Sequence, residues 1–413
     1  MKLPNVFEEI FIFFSLNNAF SLSAWAFRGL FLTLHKIGCT SAKRSSKLDA
    51  LLSVCIIFVE DKLHLGKAYL KTWHNDKKTM TRNKKTIMGL ALALALMAVL
   101  SLFVGAVPLA PADVLTTLFG GETSDTLRFI VLESRLPQTL TAALCGAALA
   151  VGGLLLQNIF RNPLADPSVF GISSGAALGV AVVMLMGGGA VMTDSLVGMG
   201  ATVVAAFIGA MAVTALVFVL SLAVRGGVAL LIIGLMIGYV ASAFITVINF
   251  FATADGVKSY LLWRMGSFAN VSSEQLWWIA VPVGVGLFVA LLLSKSLDIM
   301  RLGDNYAAAL GLNIAAVRNG ALVLVGFLTA VTTAFCGPIA FIGLAVPHIA
   351  RMVMHTDSHL SLVPATLLMG AVIAMACNMA CSLPGGGGVL PVNAVTPLVG
   401  APIVIYVIMK KNK

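Results

Sequence analysis

Few residues in this 413-residue sequence are charged, 11% in all, and none falls deep inside the long apolar runs that dominate the chain after residue 85. Carriers driven by protons or sodium place an ionisable group near the bilayer midplane, where its cost is accepted for function. No such group is present, so a built-in ion-coupled energy source is not expected. Asn249 and Asn378 are the strongly polar residues inside apolar runs, and side chains of this kind usually hydrogen-bond between helices. The phosphate-cradling pattern GxxxxGK[ST] is absent, so the chain does not hold a nucleotide in the Walker fashion. His348, His355 and His359 crowd the end of one run, and the last two have the i, i+4 spacing of a shared helical face. A metal or haem relay would use such a pair, and an exposed polar rim would look the same. The six cysteines, Cys39, Cys55, Cys145, Cys336, Cys377 and Cys381, lack CxxC spacing and read as packing groups. No metal site is expected.

The elements that position these groups follow from composition. With 59% apolar residues and a mean hydropathy of +0.99, the chain lies well outside the soluble range of roughly 45–50% apolar. It reads as an all-α polytopic membrane protein. Ten runs are long enough or nearly long enough to span: about 86–107, 136–158, 171–190, 197–224, 228–252, 275–295, 318–336, 339–354, 363–382 and 392–409. The eighth is short and interrupted by Pro347. The run 136–156 carries Gly146, Ala147, Ala148, Ala150, Gly152 and Gly153, small residues that let helix backbones approach closely in lipid. After it, NPLADP brackets a bend with two prolines and two capping side chains, Asn162 and Asp166.

The net charge of +10 would suggest nucleic acid as partner of a soluble chain, but here the cations fall at the ends of apolar runs. Placing the amino end in the cytoplasm puts Arg82, Lys84, Lys85, Arg161, Arg225, Lys295, Arg301, Arg318, Arg351, Lys410, Lys411 and Lys413 on that side. The other side holds Arg128, Arg135, Lys258 and Arg264, so the split is twelve to four. This satisfies the positive-inside rule, places both ends of the core in the cytoplasm and argues against a nucleic-acid partner. Two outer loops, 108–134 and 253–274, form the face that would meet an external partner, and Trp263 in the second suits a membrane interface.

Between the sixth and seventh runs lies SLDIMRLGDNYAAALGLNIAAVR, residues 296–318. Asp304 and Asn305 after Gly303 form a helix start, and Gly311 ends the short helix. The stretch predicts two short helices joined by a glycine turn and projecting into the cytoplasm.

The wording RLPxxL, GAALAxxGxxxQ and RNPLADPxxxGISSGAALG, continued at RLGDNYAAALGLN, GPIAFIGLAVPHIAR and LPVNAVTPLVGAP, resembles the permease subunits of ABC importers for ferric siderophores, haem and cobalamin. The resemblance covers roughly residues 80–413. It implies the type II ABC importer permease fold and a bacterial cytoplasmic (inner) membrane location. It also implies a dimer with a second copy, two ABC ATPase subunits inside and a periplasmic or lipid-anchored substrate-binding protein outside. The chain itself would hold no cofactor, and ATP would be used by the partner ATPase. By that match Arg301, Leu302, Gly303, Asp304, Ala308, Leu310 and Gly311 form the coupling surface docked on the ATPase. Arg225, Gly226 and Gly227 match the cytoplasmic gate, and residues 228–252 and 392–409 would line the pathway. The family pairs outer arginines with glutamates of the binding protein; Arg135 matches one such position, and Arg128 would be the substitute for others. The companion positions hold Gln138 and Ser382, a departure from the pattern.

Residues 1–79 fall outside the resemblance, interrupting their apolar stretches with Glu8, Glu9, Asn17, Asn18 and Arg28. Met80 opens a basic segment that runs straight into the first apolar run, so the working protein is expected to start near Met80, with 1–79 an extension. An ion-coupled secondary carrier and a non-transport membrane scaffold or enzyme stand as alternatives to the importer reading.

Overall fold

In hydrocarbon a backbone must satisfy its own polar groups, so apolar runs of this length form helices. The computed structural model describes residues 82–411 except 106, 187–195, 225–226 and 383–387, and it contains helices and no strands among the described residues. The extension 1–79 and the gate residues Arg225 and Gly226 lie outside the described residues. Gly227 begins a helix.

Thirteen helices follow in order: α1 Arg82–Phe103, α2 Pro111–Leu118, α3 Asp125–Ile159, α4 Ile172–Met186, α5 Leu196–Ala223, α6 Gly227–Phe251, α7 Ala254–Arg264, α8 Leu276–Arg301, α9 Asp304–Ala309, α10 Ile314–Cys336, α11 Ile342–Met354, α12 His359–Cys381 and α13 Val392–Lys411. Ten of them match the ten apolar runs, and seven of those are long and apolar enough to cross a membrane. The other three are α4, α11 and α13. At 1.5 Å per residue the 13 residues of α11 cover only about 20 Å. The eighth run is therefore not one spanning helix: Gly337 to Phe341 precedes α11 in irregular backbone. Irregular backbone at depth survives only inside protein. Here Asn393 supplies its partners, accepting from Ala340 N at 3.2 Å and donating to the Pro338 carbonyl at 2.5 Å.

The bundle is built around α3. In its most apolar window 83% of residues are buried, against 11% in α1 and 22% in α6. It packs against α8, α10, α11 and α12. The small residues explain the fit: a Cβ on Gly153 would stand within 2.5 Å of the Gly343 carbonyl carbon in α11, and one on Gly146 within 2.9 Å of that of Gly370 in α12. Gly175 in α4 meets Gly209 in α5 just as closely. Close backbone approach of this kind is how helices adhere where lipid supplies no hydrophobic drive.

Two outer segments differ from the sequence expectation. Residues 108–134 are largely helical, and the second spanning helix starts at Asp125, eleven residues early, through a wider π-helical stretch Phe129–Arg135. Residues 253–274 contain α7, whose Tyr260 and Trp263 are buried and stacked with centroids 6.4 Å apart. Trp263 thus packs in the interior instead of at a membrane interface. Trp277 and Trp278, both 73% exposed at the start of α8, have the exposure an interface position needs.

Candidate functional site: the coupling end of the bundle

α9 is a six-residue helix with a glycine at each end. Gly303 sits at φ 108°, ψ 151°, a region essentially reserved for glycine, and Gly311 has φ 79°. Neither has a neighbour within 4 Å of a built Cβ, so it is backbone shape and not crowding that calls for glycine here. One short helix is present where two were expected. The second helical piece, from Ile314, is the start of α10, and the first, through Arg301, is the end of α8.

The faces of α9 divide sharply. Ala307 is buried, whereas Leu302, Tyr306 and Leu310 are 63%, 57% and 57% exposed. Tyr306 and Leu310 stand at i, i+4, with Leu302 four residues earlier in the preceding turn. Arg301, Asp304, Ala308 and Gly311 are exposed beside them. All seven residues expected to form the docking surface therefore belong to one protruding segment, to which Tyr306 adds the largest apolar contact area.

Polar contacts fix this segment to the bundle. Arg161, in left-handed backbone just past α3, pairs with Asp304 at 2.5 Å and donates to the Met300 carbonyl at 3.3 Å. Arg301 pairs with Asp357 at 2.9 Å in the connector before α12. Asp298 accepts from the His359 backbone N at 2.7 Å and from Ser358 Oγ at 3.0 Å, capping α12, and meets His359 Nδ1 at 2.8 Å. Arg351 in α11 donates to Gln157 Oε1 in α3 at 2.6 Å. Arg161 thus joins α9 to the end of α3, and Arg301, Asp298 and Arg351 tie the neighbouring ends of α8, α11, α12 and α3 to one another. Nothing in the sequence reveals these pairings, since the partners stand 56 to 194 residues apart.

The histidines do not form a shared face. His355 ends α11 in left-handed backbone at φ 50°, and His359 begins α12. His348 points its Nε2 toward the Pro163 carbonyl at 2.9 Å. No group of three or more potential metal ligands occurs among the described residues.

In the bend after α3, Asn162 accepts from Leu164 N at 2.9 Å, and Asp166 accepts from Ser168 N at 3.1 Å to start the turn Pro167–Phe170. Burial pushes the Asp166 carboxyl up from its ordinary range, opposed by the bonds from Ser168. A Cβ on Gly343 would strike its Oδ1, so this acid is wedged between α3 and α11.

At the opposite end, Arg128 is exposed and Arg135 is not. Arg135 is 5% exposed, and its guanidinium donates to the carbonyls of Leu102 at 2.7 Å, Phe103 at 3.2 Å and Val107. A cation over the open carbonyls of a helix end is held by hydrogen bonds and by the helix dipole together. Arg135 therefore fastens the end of α1 and is not presented to an outside partner. Gln138 is also engaged, donating to Asn378 Oδ1 in α12 at 2.9 Å, which makes Asn378 the interhelical bonding residue expected of it. Replacing Arg135 with Gln should leave two of the three carbonyls unpaired and destabilise the chain by about 3 kcal/mol. Arg135→Lys, which keeps the charge without the planar fork, should recover only part of this. Melting in detergent measures it, and a loss below about 0.5 kcal/mol for the glutamine variant would show that the carbonyls do not depend on Arg135.

Comparison with known proteins bears on the whole of this region: residues 93–410 match the FecCD transport family. The chain belongs to that family. The vitamin B12 import system permease protein BtuC of Salmonella arizonae is 32% identical over 337 residues, 82% of this chain and 98% of the relative. That of Citrobacter koseri is 32% identical over 332 residues, 80% and 96% respectively. A solved structure described as an inward-facing conformation of a metal-chelate type ABC transporter superposes with a TM-score of 0.70 at 30% identity. That match covers 79% of this chain and 99% of the other. This FecCD chain is thus an ABC importer permease, a multi-pass membrane protein with the all-helical fold expected of it.

Proposed function

We propose that the chain forms, with a second copy, the translocation pathway of a binding-protein-dependent importer for a large metal chelate: cobalamin, a ferric siderophore or haem. ATP would be hydrolysed by two separate ATPase subunits docked on α9 of each copy. The observation that carries the reading is α9 itself. A six-residue helix with exposed Tyr306, flanked by exposed Leu302 and Leu310 and pinned through Asp304 to the end of α3, suits a lever better than a passive connector. The relatives named for vitamin B12 import support cobalamin first among the chelates.

The distribution of charge supports an external motor. In the spanning helices the described lysines, arginines, aspartates and glutamates lie within the first or last two turns, apart from the outer-end residues of the long α3. An ion-coupled carrier would need one deeper. The positive-inside split supports a cytoplasmic position for α9 and for both ends of the core in a bacterial inner membrane.

The second copy is supported by α6 and α13. Met236, Tyr239, Phe244 and Phe250 along α6, with Leu398, Ile405 and Tyr406 on α13, are exposed apolar residues at the positions the family resemblance gives to the pathway. Gly227 at the start of α6, with Arg225 and Gly226 before it, is the proposed cytoplasmic gate. On the outer face the exposed Arg128 is the arginine proposed to steer a binding protein, soluble or lipid-anchored.

Uptake of labelled cobalamin, ferric siderophore and haem into proteoliposomes carrying this chain, the ATPase and the binding protein tests the proposal. Uptake of one chelate should require ATP and all three components. Transport by the purified chain alone, driven by a proton or sodium gradient, would replace this reading with the secondary carrier.

A further inference from the structure

At the end of the bundle that bears α9, a cavity of about 240 Å³ opens among the ends of α3, α6, α8 and α10. Its polar lining is Asn158, Arg161, Asp304 and Arg318, and Leu230 and Met300 supply apolar wall. Two guanidinium groups face one carboxylate, so the space carries a surplus positive charge. Arg161 is already paired with Asp304 at 2.5 Å. Arg318 takes part in no ion pair among the described residues, and its Nε is buried without a hydrogen-bond partner. A buried, unpaired donor on a charged group is costly, and a site that keeps one is a candidate to receive an acceptor from outside the chain.

The depth of the cavity narrows the choice. Its lining residues end or begin helices: Ile159 closes α3, Met300 is next to last in α8, and Ile314 opens α10. This is where the chain leaves hydrocarbon, the level at which lipid phosphates lie, and basic pockets between membrane helices take anionic headgroups there. A guanidinium offers two parallel donors that match a phosphate.

We propose that this cavity is a binding site for the phosphate of an anionic phospholipid headgroup, held by Arg318 and shared by Arg161. Because Arg161 also holds Asp304, a bound phosphate competes for the contact that tethers α9. The site thus connects the charge of the surrounding leaflet to the mobility of the coupling segment.

The full-length chain in neutral detergent, titrated with short-chain phosphatidylglycerol, short-chain phosphatidylcholine and inorganic phosphate, tests this by intrinsic fluorescence and thermal shift. Phosphatidylglycerol should saturate one site, and Arg318→Gln should weaken it about tenfold without changing the response to phosphatidylcholine. Arg318→Lys, which keeps the charge but loses the buried donor, should weaken it about threefold and serves if the glutamine variant does not fold. Inorganic phosphate that displaces the lipid with the same dependence on Arg318 would identify the same phosphate site with a free anion as its source. Equal binding of the two lipids, or binding of phosphatidylglycerol indifferent to both substitutions, would overturn the proposal.

Discussion

Gly153→Leu should abolish production of folded protein, whereas Gly152→Ala, one residue away, should be tolerated. The two glycines adjoin in α3 but face different neighbours. A Cβ at 152 meets nothing closer than 3.6 Å, from Pro167 and Val325, which is ordinary contact. A Cβ at 153 would lie within 2.7 Å of both the Cα and carbonyl carbon of Gly343, and nearer still to its oxygen. That atom is backbone and cannot rotate aside. Nor can α11 retreat freely from α3, because Arg351 ties it to Gln157.

Forcing the two helices apart by about an ångström forfeits much of the dispersion attraction along their contact, which in lipid is the main force holding them. The larger leucine adds overpacking, so the expected cost is about 3 kcal/mol or more. The monodisperse fraction and melting temperature of the two variants measured side by side give the result. Equal yields of both would mean that α3 and α11 are not in backbone contact.

This pair also shows how much was legible in the sequence. The ten apolar runs, their order and the small-residue character of α3 follow from composition and period, because an apolar run of some twenty residues has one good way to satisfy its backbone in lipid. Which small residue meets which helix does not follow, since that depends on the rotation of α3 about its axis. The irregular stretch before α11 was hidden for a related reason: residues 337–341 are as apolar as a helix, and Asn393, which supports them, lies more than 50 residues away. Arg135 illustrates a third limit. The family resemblance gave it an outward docking role, yet the carbonyls it serves belong to α1 and the turn after it. The glycines flanking α9 were readable because their reason is local backbone shape, whereas the anchors of α9 were not, because they are long-range charge pairs.

Replacing both Tyr306 and Leu310 with Ala should weaken association with the ATPase about thirtyfold or more while leaving the permease folded. Both side chains, Tyr306 in α9 and Leu310 just after it, are more than half exposed, so neither contributes much to the bundle. Surface truncations of this kind usually change stability by less than about 0.5 kcal/mol. In an interface the balance reverses. Tyrosine is enriched among residues whose truncation costs about 2 kcal/mol or more, and about 2 kcal/mol corresponds to roughly thirtyfold in affinity. In the proposed arrangement the tether would let a small contact transmit force. Arg161 holds Asp304 of α9 against the end of α3, and Arg301 at the end of α8 pairs with Asp357 before α12, so motion imposed on Tyr306 and Leu310 is expected to arrive at the spans instead of being absorbed in a loose loop. Arg128→Ala at the opposite end of α3 provides the control, since it removes an exposed charge far along the chain from α9 and should leave ATPase binding unchanged. Retention of the ATPase on immobilised permease, read alongside the melting temperature, separates docking from folding. If the double variant retains the ATPase as well as the parent does, α9 is not the docking element and the lever reading of this end of the bundle is wrong.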